Sequence, residues 1–219
     1  MSLPIFDNHD DRIRYVELHL CRALCDLPQR PLPEGYRFAF YQPGDRDAWI
    51  DIEQSAKEFA SYEQGLDAWK HYYGGHEDEL GHRMIFVIDP DGRKVATATA
   101  YRDVEGRDTS GDAWLHWVAV RRDCQGRGLS KPLILHVLRI MAALGYTHAK
   151  IPTQTTSWVA CKVYLDLGFR PLADDESLPG WRIVRRLTDH PSLAAFTPAC
   201  DTEVLNPKKA HESISSVAP

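Results

Sequence analysis

The stretch from Leu115 to Ile134, LHWVAVRRDCQGRGLSKPLI, holds the densest chemistry in the chain. An apolar run leads into a basic turn with Gly126 and Gly128, and a helical pattern follows. The first backbone N–H groups of a helix have no intrahelical partner, and the helix dipole favours an anion there. Glycines let that backbone approach a phosphate closely. Arg122 and Arg127 add positive charge, so the turn suits a pyrophosphate. It is not a nucleotide P-loop, which needs Gly-x-x-x-x-Gly-Lys-Ser/Thr. It also lacks the third glycine of the dinucleotide fingerprint, because Lys131 stands there.

Other reactive side chains carry weaker patterns. His71, His76 and His82 lie near Glu77 and Glu79, but Leu80 stands where His-Glu-x-x-His would need its second histidine. No metal site is expected. The five cysteines, Cys21, Cys25, Cys124, Cys161 and Cys200, are odd in number and form no Cys-x-x-Cys pair. Free thiols are expected, with Cys21 and Cys25 on one helix face.

The elements that position these groups read as follows. Residues 10–27 have helical spacing in Ile13, Val16, Leu20 and Leu24, and Pro28 to Pro33 form a link. A strand is expected over 36–41, a turn at 43–45 capping a helix over 46–59, and a second helix over 62–73 ended by Gly74-Gly75. Strands at 84–88 and 94–101 flank a Pro-Asp-Gly turn. A loop over 102–111 precedes the apolar strand 113–120. Then come a helix over 129–144, a strand at 149–152, a helix over 157–167 and strands at 169–172 and 181–187. Mixed strands and helices with no repeat give an α/β (α+β) class.

The turn and a second segment together resemble the GNAT (GCN5-related N-acetyltransferase) superfamily. The resemblance covers about Tyr36 to Leu187. Its acetyl-coenzyme A loop corresponds to Gln125, Gly126, Arg127, Gly128, Leu129 and Ser130, with Ser130 replacing the usual Gly or Ala. The downstream run SWVACKVYLDLGF, Ser157 to Phe169, is similar to the family's second motif, with Ser157 where Asn is usual. The resemblance implies a mostly antiparallel mixed sheet, splayed at its middle and flanked by helices. It implies backbone contacts to the coenzyme from Val118, Ala119 and Val120, a further contact from Ser157, and Tyr164 as the acid that protonates the departing thiolate. Packing is the other reading of Tyr164. The implied division is an N-terminal helical extension and linker over 1–35, the transferase domain over 36–188 and a tail over 189–219.

The implied activity is direct transfer of acetyl from acetyl-coenzyme A to a primary amine of a small molecule. Alternatives within the fold are an acyl-coenzyme A sensor of weak activity and a transferase for peptides or longer acyl chains. A base must neutralise the amine. His116 is one candidate, since arylalkylamine acetyltransferases carry a histidine at a comparable place. Alternation puts it on the face of Val118 and Val120. It is equally readable as a core histidine between Trp114 and Trp117. Glu53 and Glu58 are further candidates. Residues 45–80 hold ten acidic and three basic side chains, a field that would attract a cationic amine, interleaved with aromatics.

The whole-chain figures fit this reading. The chain has 219 residues, 43% hydrophobic and 26% charged, with a net charge of −5. That is enough for one domain with extensions and a sizeable core. The acidic balance disfavours nucleic acid and anionic membranes as partners. No secretory signal or apolar span is read, so a cytoplasmic location is expected. The N-terminal segment and the tail are open to a role in a homodimer.

Overall fold

The computed structural model describes residues 9–102, 110–197 and 204. In chain order the elements are β1 (Glu17–Ala23), β2 (Arg37–Phe40), α1 (Arg46–Ser55), α2 (Tyr62–Tyr73), β3 (Met84–Ile88), β4 (Lys94–Tyr101), β5 (Ala113–Val120), α3 (Ser130–Ala143), β6 (His148–Gln154), α4 (Trp158–Asp166), β7 (Arg170–Leu172) and α5 (Leu178–Thr188). Short 3-10 turns precede β3, α3 and α4 and follow α5. The chain divides into two compact units. One runs over Ala23–Lys150, and the other combines the described part of Asp7–Arg22 with Ile151 onward.

In the first unit the strand order is β2-β3-β4-β5-β6. The first four strands pair antiparallel, and β5 and β6 pair parallel. All five residues of β3 are buried, and β4 is buried from Val95 to Tyr101. Apolar β-branched and aromatic residues in unbroken runs suit strands covered on both faces. The β3–β4 hairpin is set by Asp89, whose carboxylate accepts the backbone N–H groups of Asp91 and Arg93 at 3.2 and 2.8 Å. The first helix stops earlier than its periodicity suggests, at Ala56, where Lys57 takes φ +71°. Its expected cap is also rearranged: the Asp45 carboxylate accepts Gln42 N–H and pairs with Lys94. α2 has the expected span. Ser61 Oγ accepts Gln64 N–H at 3.3 Å, and Gln64 Oε1 accepts Ala60 N–H at 2.9 Å, a reciprocal pair that fixes the N-terminal end of the helix. Trp49, Ile52, Trp69, Tyr73 and Phe86 build the core on the α1–α2 side. The spacing on α3 predicts an inner face of Leu133, Val137, Met141 and Leu144; the first three are buried, and Leu144, at the C-cap, is exposed.

In the second unit the order is β6-β1-β7, with β1 and β7 antiparallel. Here two sequence expectations fail. Residues 10–27 are not a helix: Leu18 and Leu20 are fully buried between half-exposed neighbours, and Leu20 pairs with Pro171. Period-two burial against a partner strand outweighs the helical spacing that the same residues also satisfy. Cys21 and Cys25 therefore share no helix face, and the N-terminal helical extension expected over 1–35 is a strand at 17–23. Residues 181–187 are not a strand but the body of α5. Pro179 opens that helix, and Gly180, Trp181, Ile183 and Val184 form one buried stripe. Gly180 must be glycine, because a Cβ there would meet Leu18 and Val16 side-chain carbons at 2.8 Å.

The segment before β1 is tied to the turn before α4. Asp10 N–H donates to Thr156 O at 2.8 Å, and Val16 N–H donates to Thr155 Oγ1 at 2.9 Å. Beyond α5, Phe196 packs on Trp181, and Val204 O accepts Arg14 N–H. Tail residues 198–203 and 205–219, Cys200 among them, lie outside the described residues, as does most of the 102–111 loop. The four described cysteines are free thiols.

Candidate active site

Strand β5 carries an irregularity that alternation did not foresee. Thr99 of β4 pairs with His116 and Thr97 pairs with Ala119, so one extra β5 residue faces β4 between them. This is a bulge, and Trp117 sits in it at φ +50°. An aromatic residue rarely holds such a backbone, and it persists only where packing over-determines it. Trp49, Phe59, Tyr72 and His116 surround the Trp117 ring with centroids 5.1 to 5.7 Å away.

The bulge changes the parity of the strand. Directly paired residues share a face. Tyr73 Oη bonds Thr99 Oγ1 at 3.1 Å, which places Thr97 and Thr99 on the α2 side. His116 and Ala119 therefore face α1 and α2, while Val118 and Val120 face the opposite way. The expectation that His116 shares a face with Val118 and Val120 is corrected. The ladder between β5 and β6 joins Ala113 to Ala149 and Trp114 to Lys150, so the rest of β5, including Val118 to Val120, lies outside it.

His116 stacks on Tyr101, with centroids 4.8 Å apart and planes 22° from parallel, and meets Tyr72 edge-on at 4.8 Å. Its Nδ1 is buried without a hydrogen-bond partner. Burial, aided by the nearby charge of His71, lowers its pKa to about 4, so the ring is neutral at neutral pH. The ring is packed among aromatic side chains, and its Nδ1 has no hydrogen-bond partner.

The turn after β5 has an open glycine backbone. Gly126 and Gly128 hold φ +74° and +79°, and a Cβ at either would meet nothing within 4 Å. The space above this backbone is open. α3 begins without a side-chain cap and without an acidic residue in its first turn. A helix start of this kind favours an anionic acceptor, and Leu129 is buried behind it. Gln125 turns inward, donating from Nε2 to Val120 O at 3.1 Å, and so braces the turn against the strand. Arg127 donates to Tyr36 Oη and Asp123 O, at 3.2 and 3.0 Å. Arg93 joins Asp89 to Asp123, and both aspartates are held below the usual carboxylate range by it. These contacts fit a pyrophosphate-bearing coenzyme: open glycine backbone, an uncapped helix start and fixed guanidinium groups.

Three acidic residues of the 45–80 stretch are paired with cations from outside it. Asp45 pairs with Lys94, Asp51 with Arg121, and Glu79 with Arg83 and Arg102. Glu77 accepts the Trp69 indole N–H at 2.8 Å. The histidines near these glutamates gather into no metal-ligating group among the described residues. Glu53 is different. It is fully buried on the inner side of α1, and neither carboxylate oxygen has a hydrogen-bond partner. Burial, with Glu58 nearby, pushes its pKa well above the carboxylate range. Its place four residues after Trp49 on the apolar stripe was the available signal for this burial.

The second unit holds the other candidates. Ser157 is buried at the start of α4, but its hydroxyl does not cap that helix; it accepts Gln154 Nε2 at 2.9 Å. Tyr164 lies on α4, is buried, and meets Phe169 edge-on at 6.0 Å.

A mixed, mostly antiparallel sheet with a bulged central strand, a glycine turn and an open helix start defines an acyl-coenzyme A N-acyltransferase fold. The family profile described as acetyltransferase (GNAT) matches residues 46–169, and the chain belongs to that family. It is 28% identical to a mycothiol acetyltransferase of Pseudarthrobacter chlorophenolicus over 157 residues, 70% of this chain and 48% of that one. It is 30% identical to a mycothiol acetyltransferase of Streptomyces coelicolor over 152 residues, 66% of this chain and 46% of that one. The chain spans about half the length of these curated relatives. Among solved structures, a GCN5-related N-acetyltransferase from Sphaerobacter thermophilus superposes with a TM-score of 0.57 at 21% identity, covering 73% of this chain and 49% of that one. That likeness bears on fold alone. No helix among the described residues is long and apolar enough to cross a membrane.

Proposed function

We propose that the protein is an acetyl-coenzyme A-dependent N-acetyltransferase that acts on a primary amine of a small molecule. The observation that carries this reading is the open turn at Gly126 and Gly128 running into the uncapped start of α3. The curated relatives named mycothiol acetyltransferase support a small-molecule acceptor. The acetyltransferase domain proposed over 36–188 encloses the matched region, with β1 contributing from before it.

Residues Gln125 to Ser130 hold the diphosphate through backbone N–H groups, and the free edge of Val118, Ala119 and Val120 holds the pantetheine arm. Ser157 lines the same arm. Bound acetyl-coenzyme A supplies the thioester carbonyl that the amine attacks. His116 takes a proton from the amine, so that a neutral nitrogen is presented. N–H groups of β5 stabilise the oxyanion. Tyr164 gives up its Oη proton as the thiolate leaves. A soluble cytoplasmic setting suits this chemistry.

Calorimetric titration tests the assignment of the turn. Acetyl-coenzyme A should bind the wild-type protein with one site per chain, and coenzyme A should compete. No heat of binding with either ligand would remove the reading.

A further inference from the structure

The rings on the α1–α2 side of the sheet form two layers. Trp49, Trp69 and Tyr73 are buried and make the inner one. Phe59, Tyr72 and Trp117 pack against that core and stay half-buried. Tyr72 is the hub of the outer layer. Its ring meets His116 at 4.8 Å, Trp117 at 5.3 Å and Tyr101 at 6.0 Å between centroids, each time edge-on. Phe59 meets Trp117 at 5.1 Å. A continuous aromatic surface thus runs from Phe59, between the two helices, across α2 to β5, with part of its area in solvent. Contiguous aromatic area left uncovered marks a place where a ligand or partner is bound.

Three observations fit this surface to an acceptor. Trp117 stands directly before Val118, where the edge proposed for the pantetheine arm begins. Trp117 also bears a backbone cost, φ +50°, that glycine would avoid, and presents an indole there. The third observation concerns polarity. Asp47 accepts the Tyr62 hydroxyl at 2.8 Å, Tyr73 donates to Thr99, Glu77 accepts the Trp69 indole, and Glu79 pairs with Arg83 and Arg102. These polar groups of α1, α2 and the turn after them are engaged within the chain. A polyhydroxylated body needs several hydrogen-bond partners to replace the water it loses. A flat apolar ring needs only aromatic area, which it meets stacked or edge-on.

We propose that the acceptor is a primary amine whose body is an aromatic ring, seated on the outer layer formed by Phe59, Tyr72 and Trp117. The proposal deepens the acetyltransferase reading and rests on it. The transfer itself is unchanged. The C–N bond forms as the thioester C–S bond breaks, and the proton lost by the neutral amine balances the one gained by the thiolate. Phe59, Tyr72 and Trp117 set specificity: they hold the ring, and the ammonium form gains from an aromatic face before it is deprotonated.

The test measures kcat and KM for 2-phenylethylamine, 2-cyclohexylethylamine, n-butylamine and glucosamine, in wild type, Tyr72→Leu and Tyr72→Phe. Thermal melts and acetyl-coenzyme A titration show which variants are folded. In wild type, kcat/KM for 2-phenylethylamine should exceed that for n-butylamine and for glucosamine at least about 10-fold, with the cyclohexyl compound between. Tyr72→Leu should raise KM for 2-phenylethylamine about 10-fold, with kcat and the values for n-butylamine unchanged. Tyr72→Phe keeps the ring and should keep the preference within about twofold. A loss of packing alone would not fall on one acceptor. On wild type, 2-phenylethanol, a ring without the amine, should inhibit competitively against 2-phenylethylamine, and n-butanol should not. Glucosamine or n-butylamine used as well as 2-phenylethylamine, no competition by 2-phenylethanol, or a folded Tyr72→Leu with its preference intact overturns the proposal and leaves the transferase reading standing. Wild-type protein that binds no acetyl-coenzyme A overturns both.

Discussion

Trp49 of α1 meets Trp117 of β5 edge-on, with ring centroids 5.3 Å apart and an interplanar angle of 79°. The contact spans helix and bulge, and it explains how a tryptophan keeps a left-handed backbone in the middle of a strand. Trp49 also touches Phe59, Trp69 and Tyr73, so one side chain joins α1, α2 and β5. The shape of β5, and hence the face on which His116 lies, depends on this aromatic group.

Trp49→Ala should therefore be among the most damaging core substitutions. Removing a fully buried tryptophan costs about 3–5 kcal/mol. Urea unfolding followed by Trp fluorescence of the remaining indoles measures it. A loss under about 1 kcal/mol would mean that the bulge is held by something else.

Gly128→Ala probes the turn without adding bulk to a crowded place. The new Cβ meets no neighbour, but φ +79° costs an L-residue about 1–2 kcal/mol. The turn relaxes away from that backbone, and coenzyme affinity should fall about 10-fold in titration. Unchanged affinity would show that the turn's N–H groups do not meet the ligand.

Stability should depend on pH through His116. Its folded pKa, about 4, lies below the value near 6.5 expected when unfolded. The unfolded chain therefore takes up the proton first as pH falls. The histidine's contribution is complete above about pH 6.5, is lost between there and about pH 4, and changes no further below that. The loss is on the order of 3 kcal/mol. Glu53 has the opposite sign: its raised pKa makes its contribution complete at acid pH and lost as pH rises, so Glu53→Gln should melt higher than wild type at neutral pH and equal to it at acid pH. Melting curves of wild type, His116→Gln and Glu53→Gln across pH 4 to 8 separate the two. A wild-type slope that His116→Gln leaves intact would assign the acid loss to other groups.

Tyr164→Phe separates chemistry from packing. The ring and its contact with Phe169 survive the change, so the fold should be kept. If Oη donates the proton, kcat falls about 100-fold with coenzyme affinity unchanged. A kcat within twofold of wild type would make Tyr164 a packing residue.

Much of the architecture was legible in the sequence, and the failures have physical causes. α2, β3, β4 and β5 stood out because their caps, turn and apolar runs agree with one another. β1 is hidden in the sequence because Ile13, Val16, Leu20 and Leu24 satisfy a helical period, whereas the pairing of Leu20 with Pro171 is a long-range contact that no local pattern contains. α5 resembles a strand because Trp181, Ile183 and Val184 have strand propensity, and only Pro179 marks the helix start. In the site, the glycine turn announced itself through residue types. The parity of His116 did not, since a one-residue bulge leaves no mark in composition. The burial of Glu53 was visible only as a charged residue on an apolar stripe. The excess negative charge of residues 45–80 was real in the sequence, but Lys94, Arg83, Arg102 and Arg121 lie outside that window and pair with three of its acidic residues.

Release of free thiol from acetyl-coenzyme A, followed in a panel of small primary amines, tests the central claim most directly. The account predicts amine-dependent release, with equimolar N-acetylated product by mass, for at least one acceptor, and its loss above about 100-fold in Tyr164→Phe. Slow thiol release that no amine accelerates, from protein that binds the coenzyme, would contradict it.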